Sequence, residues 1–226
     1  MEHSVGNEAP KHPKQAFQVE RLAFFSDAVF AIAITLLIMD FKVPHITKDS
    51  TYEQVWKQLD DLKLNLGALL MTYYLICIYW MRHHFLYKYI HNYNNRIVVA
   101  NMIAMLPIIF LPFSTAFLAE SAESKDVAML GFQLFLVNHF AASIAIFAIY
   151  WLGMVRHKEM SYEVPVDEKL KFYEQTLFSS IMMLVMFVAT LFTTNLTTIE
   201  LVIVACVILR VISMRLLKRK FGKSVA

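Results

Sequence analysis

Six stretches of this chain are apolar over roughly the length of a membrane crossing: residues 22–41, 63–84, 97–119, 128–152, 175–194 and 197–217. A hydrocarbon core about 30 Å thick is spanned by about 20 residues of helix. Each stretch therefore predicts a transmembrane helix, and the polar segments between them are short. No Gly-rich or Ser-rich linker divides them. Residues 18–218 are expected to form one all-α, six-helix membrane domain, flanked by a mobile polar tail over 1–17 and a basic tail over 219–226. The first twenty residues include Pro10, Lys11, Pro13 and Lys14 and lack an apolar core, which argues against a signal peptide. The first connection carries a pattern of its own. Ser50 and Glu53 have the spacing of a capping box, and Tyr52, Val55, Trp56 and Leu59 follow at helical period. They predict a short amphipathic helix leading into the second span; the plainer alternative is the frayed start of that span itself.

Composition agrees with a polytopic membrane protein. The chain is 58% hydrophobic and 17% charged, where soluble domains run about 45–50% and about 25%. An ordinary soluble globule and a disordered chain are both excluded. Cys77 and Cys206 lie inside apolar runs and read as small hydrophobes. Sixteen of the 21 Lys and Arg residues fall on one side of the six-span topology: before the first span, in the second-to-third and fourth-to-fifth connections, and at the C-terminal end. That bias places both termini in the cytoplasm of a multi-pass plasma-membrane protein.

No nucleophile elbow, HExxH, P-loop or GxGxxG occurs, so an enzyme is not expected. His83, His84 and His91 have no convergent fourth ligand in the sequence, so neither a metal nor a cofactor is expected, and no nucleic-acid partner. Polar residues in the spans, Asn101, Gln133 and the Asn138-His139 pair, read as links between helices; a proton relay is the sharper reading of His139.

The first span carries the most specific chemistry. It opens Arg21-Leu22-Ala23-Phe24-Phe25-Ser26-Asp27. Ser26 and Asp27 suit a helix start, where their oxygens accept free backbone N–H groups. A carboxylate at membrane depth also calls for a partner. The second span ends Tyr79-Trp80-Met81-Arg82-His83-His84 at the same depth, and Trp80 and His83 share a helix face. Both can donate to the Asp27 carboxylate; an interfacial aromatic belt is the plainer alternative.

These residues resemble the transmembrane protein 175 family of potassium channels. The resemblance rests on Arg21-x-x-x-Phe25-Ser26-Asp27 and the following Ala31-x-x-x-Thr35-Leu36-Leu37. It continues in Lys42-Val43-Pro44, Trp80-x-x-His83-His84 and Leu111-Pro112-Phe113-Ser114-Thr115-Ala116. Spans four to six match only in length and apolarity. A single six-span unit is similar to the prokaryotic members. The resemblance implies a homotetramer in the lipid bilayer, with the first helix of each subunit lining a central pore for potassium ions. It also implies modest selectivity over sodium without a Thr-Val-Gly-Tyr-Gly filter, which this chain likewise lacks. Arg21, Phe25, Ser26, Asp27, Trp80 and His83 would form a structural network. Ile32, Leu36 and Met39 would line the constriction, with Met39 where an aliphatic residue is usual and Thr35 beside them. Asp40 marks the outer end of the span, either as a mouth carboxylate or as a solvated helix end. A proton channel or proton-coupled transporter is the alternative function.

Overall fold

The computed structural model describes residues 13–39, 45–122, 124, 127–193 and 196–221. Six long helices account for almost all of them: α1 (Pro13–Met39), α2 (Tyr52–Tyr89), α3 (Asn95–Ser121), α4 (Ala128–Tyr150), α5 (Val166–Phe192) and α6 (Leu196–Phe221). Each of the six apolar stretches falls within one of them or within α4 and its continuation, apart from residues at stretch ends. In hydrocarbon every backbone N–H and C=O must be paired within the protein, and a helix does so locally. Among the described residues, five helices are long and apolar enough to cross a membrane. The fold is that of an all-α, multi-pass membrane protein.

Several boundaries differ from the sequence expectation. α1 begins at Pro13, inside the stretch expected as a polar tail, and α6 runs to Phe221, into the expected basic tail. Proline at the first helical position is favourable, because its missing N–H would be unpaired there in any case. The expected short helix after Ser50 is not separate. α2 is one helix of 38 residues, or about 57 Å at 1.5 Å per residue. Its capping box sits one residue later than expected. The Thr51 hydroxyl accepts from Gln54 N at 3.3 Å, and the Gln54 side chain accepts from Thr51 N at 3.1 Å. Arg82 and Lys88, counted above with a connection, lie inside α2, and Arg82 is buried.

α3 packs against α1, α2 and α4, and α5 lies between α4 and α6. The main core joins Phe30, Ala33 and Leu37 of α1 to Ile76 and Leu86 of α2, Ile108 and Leu111 of α3, and Ile146 and Ile149 of α4. A second cluster, Leu136 with Met183 and Met186, ties α4 to α5 and meets Val202 and Ile203 of α6. Polar links cross these contacts. Thr115 donates to Leu111 O at 2.8 Å, and Thr72 reaches Thr115 Oγ1 at 2.7 Å. Asn138 donates to Ser114 Oγ at 3.1 Å, Ser180 to Ser143 Oγ at 2.8 Å, and Gln133 to Thr190 Oγ1 at 3.1 Å. Gly131 permits a close α3–α4 approach: a Cβ there would overlap the Ser121 side chain and lie 3.2 Å from Phe117 O.

One end of the bundle is tied together by backbone. α4 continues into a π-helical segment, Trp151–Arg156, closed by His157 N donating to Leu152 O at 3.1 Å. The chain after it pairs with the chain after α2: Tyr162 N donates to Tyr89 O at 2.9 Å, and His91 N to Met160 O at 3.0 Å. Tyr89 also donates to the Glu168 carboxylate of α5 at 2.6 Å.

Candidate functional site

α1 has two distinct faces. Leu22, Ser26, Phe30, Ala33 and Leu37 recur every three or four residues and are buried against α2 and α3. A second stripe, about 100° around the helix, carries Phe25, Ile32, Leu36 and Met39, and all four are exposed on the single chain: Ile32 58%, Leu36 36% and Met39 76%. Thr35 lies beside the stripe, also exposed, with its hydroxyl donating to Ile32 O at 2.9 Å in its own helix. Asp40 lies outside the described residues, as do Lys42, Val43 and Pro44.

The buried face holds a polar junction near the start of the span. Asn101 of α3 donates through Nδ2 to Ser26 Oγ at 2.9 Å, and Ser26 donates to Leu22 O at 3.0 Å. His83 Nε2 of α2 lies 2.8 Å from Asn101 Oδ1. The amide oxygen only accepts, so the imidazole donates there and carries its proton on Nε2. Ser26, His83 and Asn101 are all buried. His83 is also flanked by the rings of Phe30 and Tyr87, at 5.5 and 4.7 Å between centroids.

A second contact lies further out. Trp80 Nε1 donates to Asp27 Oδ1 at 2.8 Å. Of the two donors expected on Asp27, only Trp80 is there, and His83 turns to Asn101 instead. The reason is helical phase. Asp27 is one residue, about 100°, around α1 from Ser26, so it leaves the buried seam and meets the flank of α2, where Trp80 is partly exposed. Trp80 stacks in turn on His84 at 5.4 Å. Arg21 and Phe25 are exposed, and neither joins these contacts.

Two groups lie deeper. Tyr79 donates to His139 O at 3.1 Å and lies 3.0 Å from His139 Nδ1, while His139 Nε2 is buried without a hydrogen-bond partner among the described residues. Arg82 donates through Nη2 to Gln175 O of α5 at 2.9 Å. Sequence reasoning treated Asn101 as a generic link and Arg82 as a loop charge. Their depth is the signal that could have found both. The first turns of α3 run beside the last turns of α2, where Asn101 meets His83, whereas Arg82 turns to α5.

The family model described as endosomal/lysosomal potassium channel TMEM175 matches residues 21–112. A potassium channel of Streptomyces collinus is 30% identical over 131 residues, covering 58% of this chain and 62% of that protein. The zebrafish endosomal/lysosomal proton channel TMEM175 is 24% identical over 162 residues, 72% of this chain and 30% of that protein. The chain spans between about half and three fifths of the length of the first bacterial relatives it matches. The crystal structure of a lysosomal potassium-selective channel TMEM175 homolog from Chamaesiphon minutus superposes with a TM-score of 0.67 at 25% identity, over 88% of this chain and 98% of that one. The matched segment opens at Arg21, contains the Ser26–Asn101–His83 junction and the exposed stripe of α1, and sits in a bundle of the same fold; over residues 21–112 the chain is similar to the TMEM175 family.

Proposed function

We propose that this chain is one subunit of a potassium-permeable channel, not an enzyme, assembled as a homotetramer in the plasma membrane with both termini cytoplasmic. The observation that carries the proposal is the apolar stripe of α1. Ile32, Leu36 and Met39 stand exposed on a helix whose buried face is locked to α2 and α3. Four such helices around one axis would close an apolar collar. A wide collar passes a hydrated or partly hydrated cation, and a narrow one dewets and closes. Potassium gives up water more readily than sodium, so a tight collar favours potassium modestly without carbonyl ligands. Asp40 would add a ring of carboxylates at the outer mouth and raise the local cation concentration. The names of the bacterial relatives and of the Chamaesiphon structure support the same reading.

Proton conduction is the second reading, favoured by the name of the zebrafish relative and by two imidazoles, His83 and His139, buried in the bundle. Reversal potentials of the reconstituted protein separate the two. A shift that follows the potassium gradient at fixed pH supports the potassium channel; a shift that follows pH alone overturns it. Ile32→Asn is expected to hydrate the collar, raise conductance and weaken the preference for potassium. Unchanged currents would remove Ile32 from the constriction.

A further inference from the structure

An open groove of about 530 Å³ runs between the start of α3 and the end of α4. Its walls are apolar: Val99 and Ile103 on α3, and Ala145, Ala148 and Leu152 on the facing element. The alanines make the trough, because the longer chains beside them stand higher. Its mouth is different. Asn95 and Arg96 line it in the first turn of α3. Arg96 is exposed, and no hydrogen bond or ion pair holds its guanidinium among the described residues. Arg156 is also exposed at the end of the π-helical segment, four residues beyond Leu152, and lies over the Trp151 ring at 5.5 Å.

We propose that this groove binds an anionic glycerophospholipid, its acyl chain along Val99, Ile103 and Ala148 and its phosphate on Arg96. The charge order fits an amphiphile: a cation at the rim, then hydrocarbon for about 10 Å over the seven residues from Arg96 to Ile103. A guanidinium matches phosphate in geometry as well as charge. The groove also opens away from α1. Val99 and Ile103 are each two residues, roughly 200°, around α3 from Asn101, which meets Ser26 of α1. The choice of lipid over a second copy of the chain rests on the assembly around α1 proposed above.

The test uses the full chain purified in detergent and offered equal amounts of phosphatidylglycerol and phosphatidylcholine, with bound lipid read by native mass spectrometry. Phosphatidylglycerol is expected to be favoured about fivefold, the scale of one basic side chain at a lipid surface. Arg96→Gln is expected to abolish the preference, and Ala148→Phe to reduce binding of both lipids. Equal retention of the two lipids by the parent chain, or an undiminished preference in Arg96→Gln, overturns the proposal. A photo-cross-linking residue at Ile103 identifies the occupant independently of any current. A product of one chain plus one phospholipid supports the lipid site; a product of two chains assigns the groove to subunit contact.

Discussion

At the scale of single residues, the two polar contacts of α1 differ in what breaking them does. The amide of Asn101 serves Ser26 and His83 at once, in a site closed to water. Asn101→Leu preserves the bulk and strands the buried His83 N–H, which costs about 1–3 kcal/mol. Trp80→Phe removes one hydrogen bond from a partly exposed pair, where water can take the place of the lost donor and leaves no buried group stranded. Thermal unfolding in detergent is expected to rank Asn101→Leu as the more damaging, and the reverse order would make the Asp27–Trp80 contact the anchor. How much of this was legible follows from sequence distance. The motif marked Ser26, Asp27, Trp80 and His83, but Asn101 lies 75 residues from Ser26, and no spacing rule spans that separation. Arg21 and Phe25 belong to the same motif and face outward, so the motif mixes residues that hold the helix in place with residues on its free side.

At the scale of elements, the six apolar stretches were readable because a membrane leaves the backbone few options. The unity of α2 was not. Lys57, Asp60, Asp61 and Lys63 lower the hydropathy of its first turns and make them look like a connection, yet Lys63 pairs with Asp60 one turn away along the same helix. The cap was missed by one residue because Ser50-x-x-Glu53 and Thr51-x-x-Gln54 both have the spacing, and only geometry chooses between them. The α3–α4 contact yields a prediction of its own. Pro107 and Pro112 each remove a backbone donor from α3, so the helix depends on its neighbours, and Gly131 lets α4 approach. Gly131→Val would drive a side chain into Ser121 and is expected to destabilise by about 1–3 kcal/mol. Reduced yield of folded protein, with a lower unfolding temperature in what remains, would register it; an unchanged temperature would mean the two helices can separate freely.

At the scale of the whole molecule, the single chain leaves a conspicuous surface unfilled. Lipid-facing helices expose apolar residues throughout, but α1 also packs two of its neighbours through its buried face. A single chain in lipid would have no axis for the stripe to surround. Cross-linking or native mass measurement is expected to give four subunits, and a stable monomer would remove the pore with them.

The length of α2 has a last consequence. A helix of about 57 Å cannot be swallowed by about 30 Å of hydrocarbon unless it leans far over, so close to half of it must rise above the bilayer or lie along its surface. Repeated four times, such posts would stand around the entrance like a palisade, and a cation arriving from that side would pass between them before it met α1. Lys57 and Lys63 lie on that stretch with Asp60, so its charge pattern would influence the ion early, well before the greasy collar does.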